Sequence, residues 1–127
     1  MEHVLRVSAG IIRAQNRNSV FPDWNGGFSN DPRSTPASTR MEGLGAAFRT
    51  ASGAGMSNEA DEILSSLKLG TSFVLNNQIG PSWAMYMKDP KASLGGIREN
   101  LTRFDIRIDY VQHALSAFLS TAKILAE

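Results

Sequence analysis

Two carboxylates stand in matching triplets, Glu42 in "RME" at 40–42 and Asp109 in "RID" at 107–109, each two residues after an arginine. A pair of carboxylates facing one cavity can divide the acid and base work that glycoside cleavage requires. The same triplets equally suit a structural task, with each acid capping the first turn of a helix and Arg40 and Arg107 holding it in place. His113 follows Asp109 by four residues and Tyr110 by three, so the three side chains can share a helical face. An Asp-His pair at that spacing can shuttle a proton, and a hydrogen-bonded structural histidine has the same signature. His3 is the only other histidine and there is no cysteine, so the ligand count is too low for a metal, and no cofactor is expected.

Aromatic residues form a second group. Trp24 and Trp83, with Tyr86 close behind, lie in two glycine- and proline-rich loops. They can stack on a sugar ring or another flat ligand, or each can plug its own loop. The glycine pairs in "NGGFSN" and "GGIREN" are followed by neither Lys-Ser nor Lys-Thr, so they do not make phosphate loops; chain reversal accounts for them.

The elements that must position these residues read as helices. Val4, Leu5, Val7, Ile11 and Ile12 follow the helical period to about Asn16. Residues 17–36 gather prolines, glycines and Asn/Asp turn formers, yet Val20, Phe21, Trp24 and Phe28 are too apolar for a disordered linker. Ala37, Met41, Leu44, Phe48 and Ala51 mark one face of a second helix with Gly43, Gly45, Ala46 and Ala47 around them, which predicts close helix contact on several sides. A third helix is expected over about 58–77, capped by Ser57 or Asn58. A fourth carries Ile108, Val111, Leu115, Phe118, Ala122 and Leu125. The "FDIRID" stretch before it alternates with period two, so its start reads as extended or helical. Composition predicts that the helices at about 37–52 and 109–126 are more buried than those at about 3–16 and 58–77.

The order of helix, aromatic loop and small-residue helix occurs twice. Gln15 answers to Gln78, "GGF" at 26–28 to "GGI" at 95–97, and the two Arg-x-acid triplets to one another. Repetition at this period is the mark of stacked α-hairpins that bury their cores against neighbours. The expected fold is all-α, two α-hairpin repeats with four main helices, in a single domain over 1–127 divided at about 56/57.

These segments, "GGF…STRMEGLGAA" and "GGI…IRIDYVQHALSA", each preceded by a helix ending near Gln-Asn, resemble consecutive hairpins of the α/α-toroid proteins, the six-hairpin glycosidase-like superfamily and the terpene-cyclase and prenyltransferase toroids. The resemblance implies that inner helices point their N-terminal ends at a central cavity, placing Arg40, Glu42, Arg107, Asp109, Tyr110 and His113 near its mouth. Six hairpins would need roughly 400 residues, whereas two are present. The resemblance therefore implies partners: the missing hairpins of a longer parent chain, or further copies in a homo-oligomer covering an apolar inner face.

Net charge is +1 with no basic stripe, which argues against nucleic acid and anionic membranes as partners. Glu2, Arg6 and Arg13 interrupt the N-terminal apolar run, so it does not read as a secretory signal, and a cytoplasmic location is expected. Two functional classes follow: a carbohydrate-related toroid protein of hydrolase, lyase or epimerase type with a carbohydrate ligand, and a non-catalytic helical module that self-associates.

Overall fold

The computed structural model describes residues 1–127. It is all-α: α1 (Glu2–Ala14), a 3₁₀ turn (Pro22–Trp24), α2 (Ser34–Gly53), α3 (Ser57–Asn76), two single turns α4 (Pro81–Ala84) and α5 (Pro90–Ser93), and α6 (Ile108–Ala126). The only extended pairing is three isolated antiparallel bridges, Gln15 to Phe28, Gln78 to Ile97 and Arg98 to Ile106. The last of these resolves "FDIRID": its first residues are extended, and the helix begins only at Ile108. No helix is long and apolar enough to cross a membrane.

Helix α2 starts at Ser34, earlier than its apolar face announces. Pro36 falls within the first turn, where a missing N–H costs nothing, and the free first-turn groups find partners in the second unit. The Ser34 N–H donates to the Glu99 carbonyl at 2.8 Å, and Ser34 Oγ donates to the Arg98 carbonyl at 2.6 Å. Helix α3 has Met56 at its cap position with no side-chain cap bond. The Ser57 or Asn58 cap is thus not used; Met56 packs against the core instead.

Helix α2 is the centre of the molecule. Three residues join it to α3, so the two run antiparallel, while α6 runs parallel to it: Glu42 meets His113 and, one turn and more further along, Arg49 meets Ser120. Met41, Leu44 and Ala51 of α2, Ile63, Leu67, Phe73 and Val74 of α3, and Ala114, Ala117 and Ile124 of α6 belong to a single core spanning both units. Close approach of α2 and α6 depends on small residues, since a Cβ at Gly45 would stand 2.5 Å from Ser120 Oγ.

The repeat is visible in hydrogen bonds. Asn16 accepts from the Gly26 N–H (2.8 Å) and donates to the Gly27 carbonyl (2.9 Å); Ile79 accepts from the Gly95 N–H (2.8 Å) and donates to the Gly96 carbonyl (2.8 Å). Gln15 Nε2 donates to the Gly26 carbonyl at 3.1 Å, and Gln78 Nε2 to the Gly95 carbonyl at 3.2 Å. Gly26 and Gly95 both have positive φ, +92° and +82°, the left-handed region that glycine enters without strain. Both loops also place a tryptophan third in a turn that opens with proline.

The expected order of burial holds for α2, and for α6 it holds against α1 but fails against α3. Helix α3 buries Ala60, Ile63, Ser66, Leu67, Gly70, Phe73 and Val74, whereas α6 leaves Ile108, Leu115, Leu119 and Leu125 exposed. The reason lies in position: α2 is flanked by α3 and α6, while the far side of α6 has no neighbour.

Candidate functional site

The N-terminal ends of α2 and α6 lie side by side, and two adjoining depressions open there. One, of about 200 Å³, is lined by Arg33, Thr35, Pro36, Glu99, Arg107, Asp109 and Tyr110. The other, of about 520 Å³, is lined by Ala14, Phe28, Ser29, Arg33, Pro36 and Arg40. Arg33 and Pro36 belong to both, so the two form one groove across the start of α2.

Local rules explain how each side chain arrives. Arg107 is the residue before α6 and Asp109 lies in its first turn; Arg107 Nε donates to Asp109 Oδ1 at 3.0 Å. Asp109 holds the Arg107 guanidinium above its ordinary value, with Tyr110 adding to the effect. The Tyr110 hydroxyl donates to Asp105 Oδ2 at 3.3 Å. Burial pushes its phenol up, reinforced by the negative charges of Asp105 and Glu99. Glu99 faces Arg33 at 3.9 Å and Arg103 at 3.5 Å. Arg40 Nη1 donates to the Pro36 carbonyl at 3.0 Å, and its guanidinium lies 4.7 Å from the centre of the Phe28 ring.

The loop between the second glycine pair and α6 is tied down by Asn100, which is fully buried. Its Nδ2 donates to Asp31 Oδ1 at 3.2 Å, and its Oδ1 accepts from the N–H groups of Thr102 and Arg103 at 3.0 and 2.7 Å. Asp31 belongs to the first unit, so this contact joins the loops of the two repeats. Ser29 and Asp31 in the first of these loops adopt positive φ, 65° and 49°, a strain that tends to gather at working loops.

The candidate residues divide into three places. Arg40, Arg107, Asp109 and Tyr110 line the groove. Glu42 and His113 form a separate pair between α2 and α6, with Nδ1 at 3.4 and 3.3 Å from the two carboxylate oxygens and both side chains partly exposed. His113 therefore meets Glu42 across the helices and not Asp109 on its own helix. Glu42 and Asp109 do not share a partner. Glu42 lies two turns into α2 while Asp109 is in the first turn of α6, so only Asp109 has the first-turn position foreseen for both, held by Arg107 and making no cap bond to the helix backbone. The aromatics are apart from both: Trp24 packs on Phe21 at 4.8 Å, Trp83 on Phe104 at 5.1 Å, and Tyr86 is exposed on its loop. No three metal-ligating side chains come together.

Compared with protein-family models, with curated proteins and with solved structures, the chain matches none of them.

Sequence reading missed Arg33, Thr35, Arg98, Glu99 and Asn100. A signal was present for three of them. Directly after the repeated glycine pair and its apolar residue, the first unit has Ser29-Asn30-Asp31 and the second has Arg98-Glu99-Asn100. Arg98 and Glu99 stand where the first unit has uncharged Ser29 and Asn30, and Asn100 where it has Asp31, a departure that stacking alone does not demand. Chemically, the groove presents carboxylates held by guanidinium groups, which orient acceptors and donors toward hydroxyls. The Glu42–His113 pair and the Tyr110–Asp105 pair each bring two titratable side chains within hydrogen-bond reach.

Proposed function

We propose that the chain is two consecutive units of a helical array of the α/α-toroid kind, built to bind a further hairpin of the same repeat against α6. The observation that carries this reading is the unequal use of the repeated glutamine. Gln15 is buried: its Oε1 accepts from Ser66 Oγ at 2.7 Å, and its Nε2 donates to the Ser66 carbonyl at 3.1 Å, clasping α3 to the first turn. Gly26 beside it is packed against the Leu69 carbonyl and Phe73. Gln78 is exposed, and Gly95 would have nothing within 4 Å of an added Cβ. The second turn thus has the machinery of the first without the helix that the first one grips.

The face of α6 agrees with that vacancy in the repeat pattern. Leu115 and Leu119, 55% and 56% exposed, flank a depression of about 540 Å³ bordered by Arg49, Gln112 and Lys123. Apolar residues in a row on one helix face mark a docking surface. In the isolated chain only a second copy can supply the hairpin, by head-to-tail contact of the kind that closes into a ring or runs on as a filament. Light scattering across micromolar concentrations is expected to show concentration-dependent self-association that Leu115→Ser with Leu119→Ser abolishes without lowering the melting temperature. A monomer at every concentration would overturn the reading for this chain.

A second reading is favoured by the groove. Its arginines, carboxylates and Tyr110, at the starts of α2 and α6, suit a polyol, and we assign to it a carbohydrate ligand, with Asp109 as the carboxylate that would face it should the array be a hydrolase, lyase or epimerase. Binding of mono- and oligosaccharides measured by calorimetry, lost in Tyr110→Ala, is the test.

A further inference from the structure

Arg98 carries a charge that its surroundings do not answer. The residue is 4% exposed. Nη2 donates to the Asn76 carbonyl at 3.1 Å, while Nε and Nη1 are sealed from solvent and have no acceptor in the protein. No carboxylate pairs with it, because the neighbouring Glu99 faces Arg33 and Arg103. The guanidinium lies against the rings of Trp83 and Phe104, 5.3 and 4.7 Å from their centres. A cation taken out of water without an anion is among the costliest burials, and ring faces return only a fraction of the lost hydration. Burial accordingly lowers the Arg98 pKa from its ordinary value.

The cover over this cation stands apart from the long helices. Trp83 sits on α4, and α4 and α5 pack on each other and not on the long helices. Around it Met85, Tyr86 and Leu94 are exposed, and Trp83 itself is 47% exposed, with one face toward Arg98 and the rest toward water. The feet of the loop are pinned by the Ile79 hydrogen bonds to Gly95 and Gly96, and within it Ala84 of α4 is buried.

We infer that Arg98 is an anion-binding residue and Trp83 its cover: displacement of the loop at 80–94 opens the guanidinium to the carboxylate of an acidic, uronate-type sugar, whose ring then stacks on the indole. Nε and Nη1 lie on different edges of the guanidinium, so each edge that the loop uncovers presents a donor with nothing else to bind. The sugar part of this inference rests on the carbohydrate reading above; the anion part does not.

The experiment titrates the intact chain with sodium glucuronate, sodium sulfate and glucose at constant ionic strength, following the Trp83 indole N–H resonance by NMR. Glucuronate is expected to shift it saturably and to bind at least tenfold more tightly than sulfate, while glucose leaves it unmoved. Arg98→Met is expected to abolish both anion responses. If that variant does not fold, Trp83→Ala provides the second arm: read by thermal shift, sulfate binding is kept or tightened and the preference for glucuronate is lost. Absence of a saturable response to either anion, an unchanged response in Arg98→Met, or loss of all anion binding in Trp83→Ala would overturn the inference. Equal affinity for glucuronate and sulfate would keep the anion site and overturn its assignment to a sugar acid, while the carbohydrate reading of the groove is tested separately by Tyr110→Ala, so the two failures are distinguishable.

Discussion

Helices α2 and α6 hold the same station in successive units, and their fates differ. Each follows the same glycine-pair turn, and each is rich in small residues on the side where the two meet. Yet α2 buries Met41, Leu44, Ala47 and Ala51 between two neighbours, while α6 holds Leu115 and Leu119 in water. In a repeat fold an inner helix owes its burial to the next unit and not to its own composition. The same contrast recurs at the turns, where one glutamine clasps a helix and the other, bonded only within its own turn, faces solvent.

The sharpest way to break that comparison is at the two positive-φ glycines. A Cβ at Gly26 would overlap the Leu69 carbonyl oxygen, and one at Gly95 would meet nothing. Gly26→Ala is therefore expected to destabilise by about 3–5 kcal/mol, as strain and backbone overlap combine, and Gly95→Ala by only about 1–2 kcal/mol, the cost of the left-handed conformation alone. Denaturant melts measure both, and equal losses would mean that the turns are equally packed.

Next in size is the glutamine pair. Gln15→Ala leaves Ser66 Oγ and two buried carbonyls without their partner, which is expected to cost about 2–3 kcal/mol, against less than about 0.5 kcal/mol for Gln78→Ala on the surface. If association through α6 buries Gln78, the second variant is expected to weaken the oligomer while sparing the melting of the monomer.

A smaller effect, read by pH, lies at the start of α6. The Tyr110 phenol is held above its ordinary value, chiefly by burial. The unfolded chain then gives up this proton first, so the contribution to stability is complete below about pH 10 and is lost as pH rises through the folded value. Stability measured from pH 9 to 12 is expected to fall, and Tyr110→Phe to flatten that fall; an unchanged profile would remove Tyr110 as its source. Smallest of all is Glu42→Gln. With both side chains of the Glu42–His113 pair partly exposed, the loss is expected to stay near about 0.5 kcal/mol in thermal melts, and a much larger one would mean that the pair fastens α2 to α6.

Much of the fold was legible because its signals are local. The helical period of Ala37, Met41, Leu44 and Phe48, and the return of Gln and Gly-Gly at matching places, needed no tertiary information. Helix starts were less legible: Pro36 looks like a boundary but sits inside the first turn of α2, whose Ser34 is held by Glu99 and Arg98, residues from the other unit. Of the site, Arg107, Asp109 and Tyr110 were found from their spacing. Arg33 and Glu99 were not, since they reach the groove from separate loops.

The sequence by itself determined that the chain is helical, that it repeats, and where its turns fall, because periodicity and left-handed glycine positions are properties of neighbouring residues. Only the tertiary structure decided which copy of each repeated feature is used. It placed Gln15 on Ser66 and left Gln78 on the surface, gave His113 to Glu42, and buried Arg98 beneath Trp83 with two donors unpaired. Those outcomes depend on which helix lies alongside each residue, a matter of packing across dozens of residues that a local pattern does not carry.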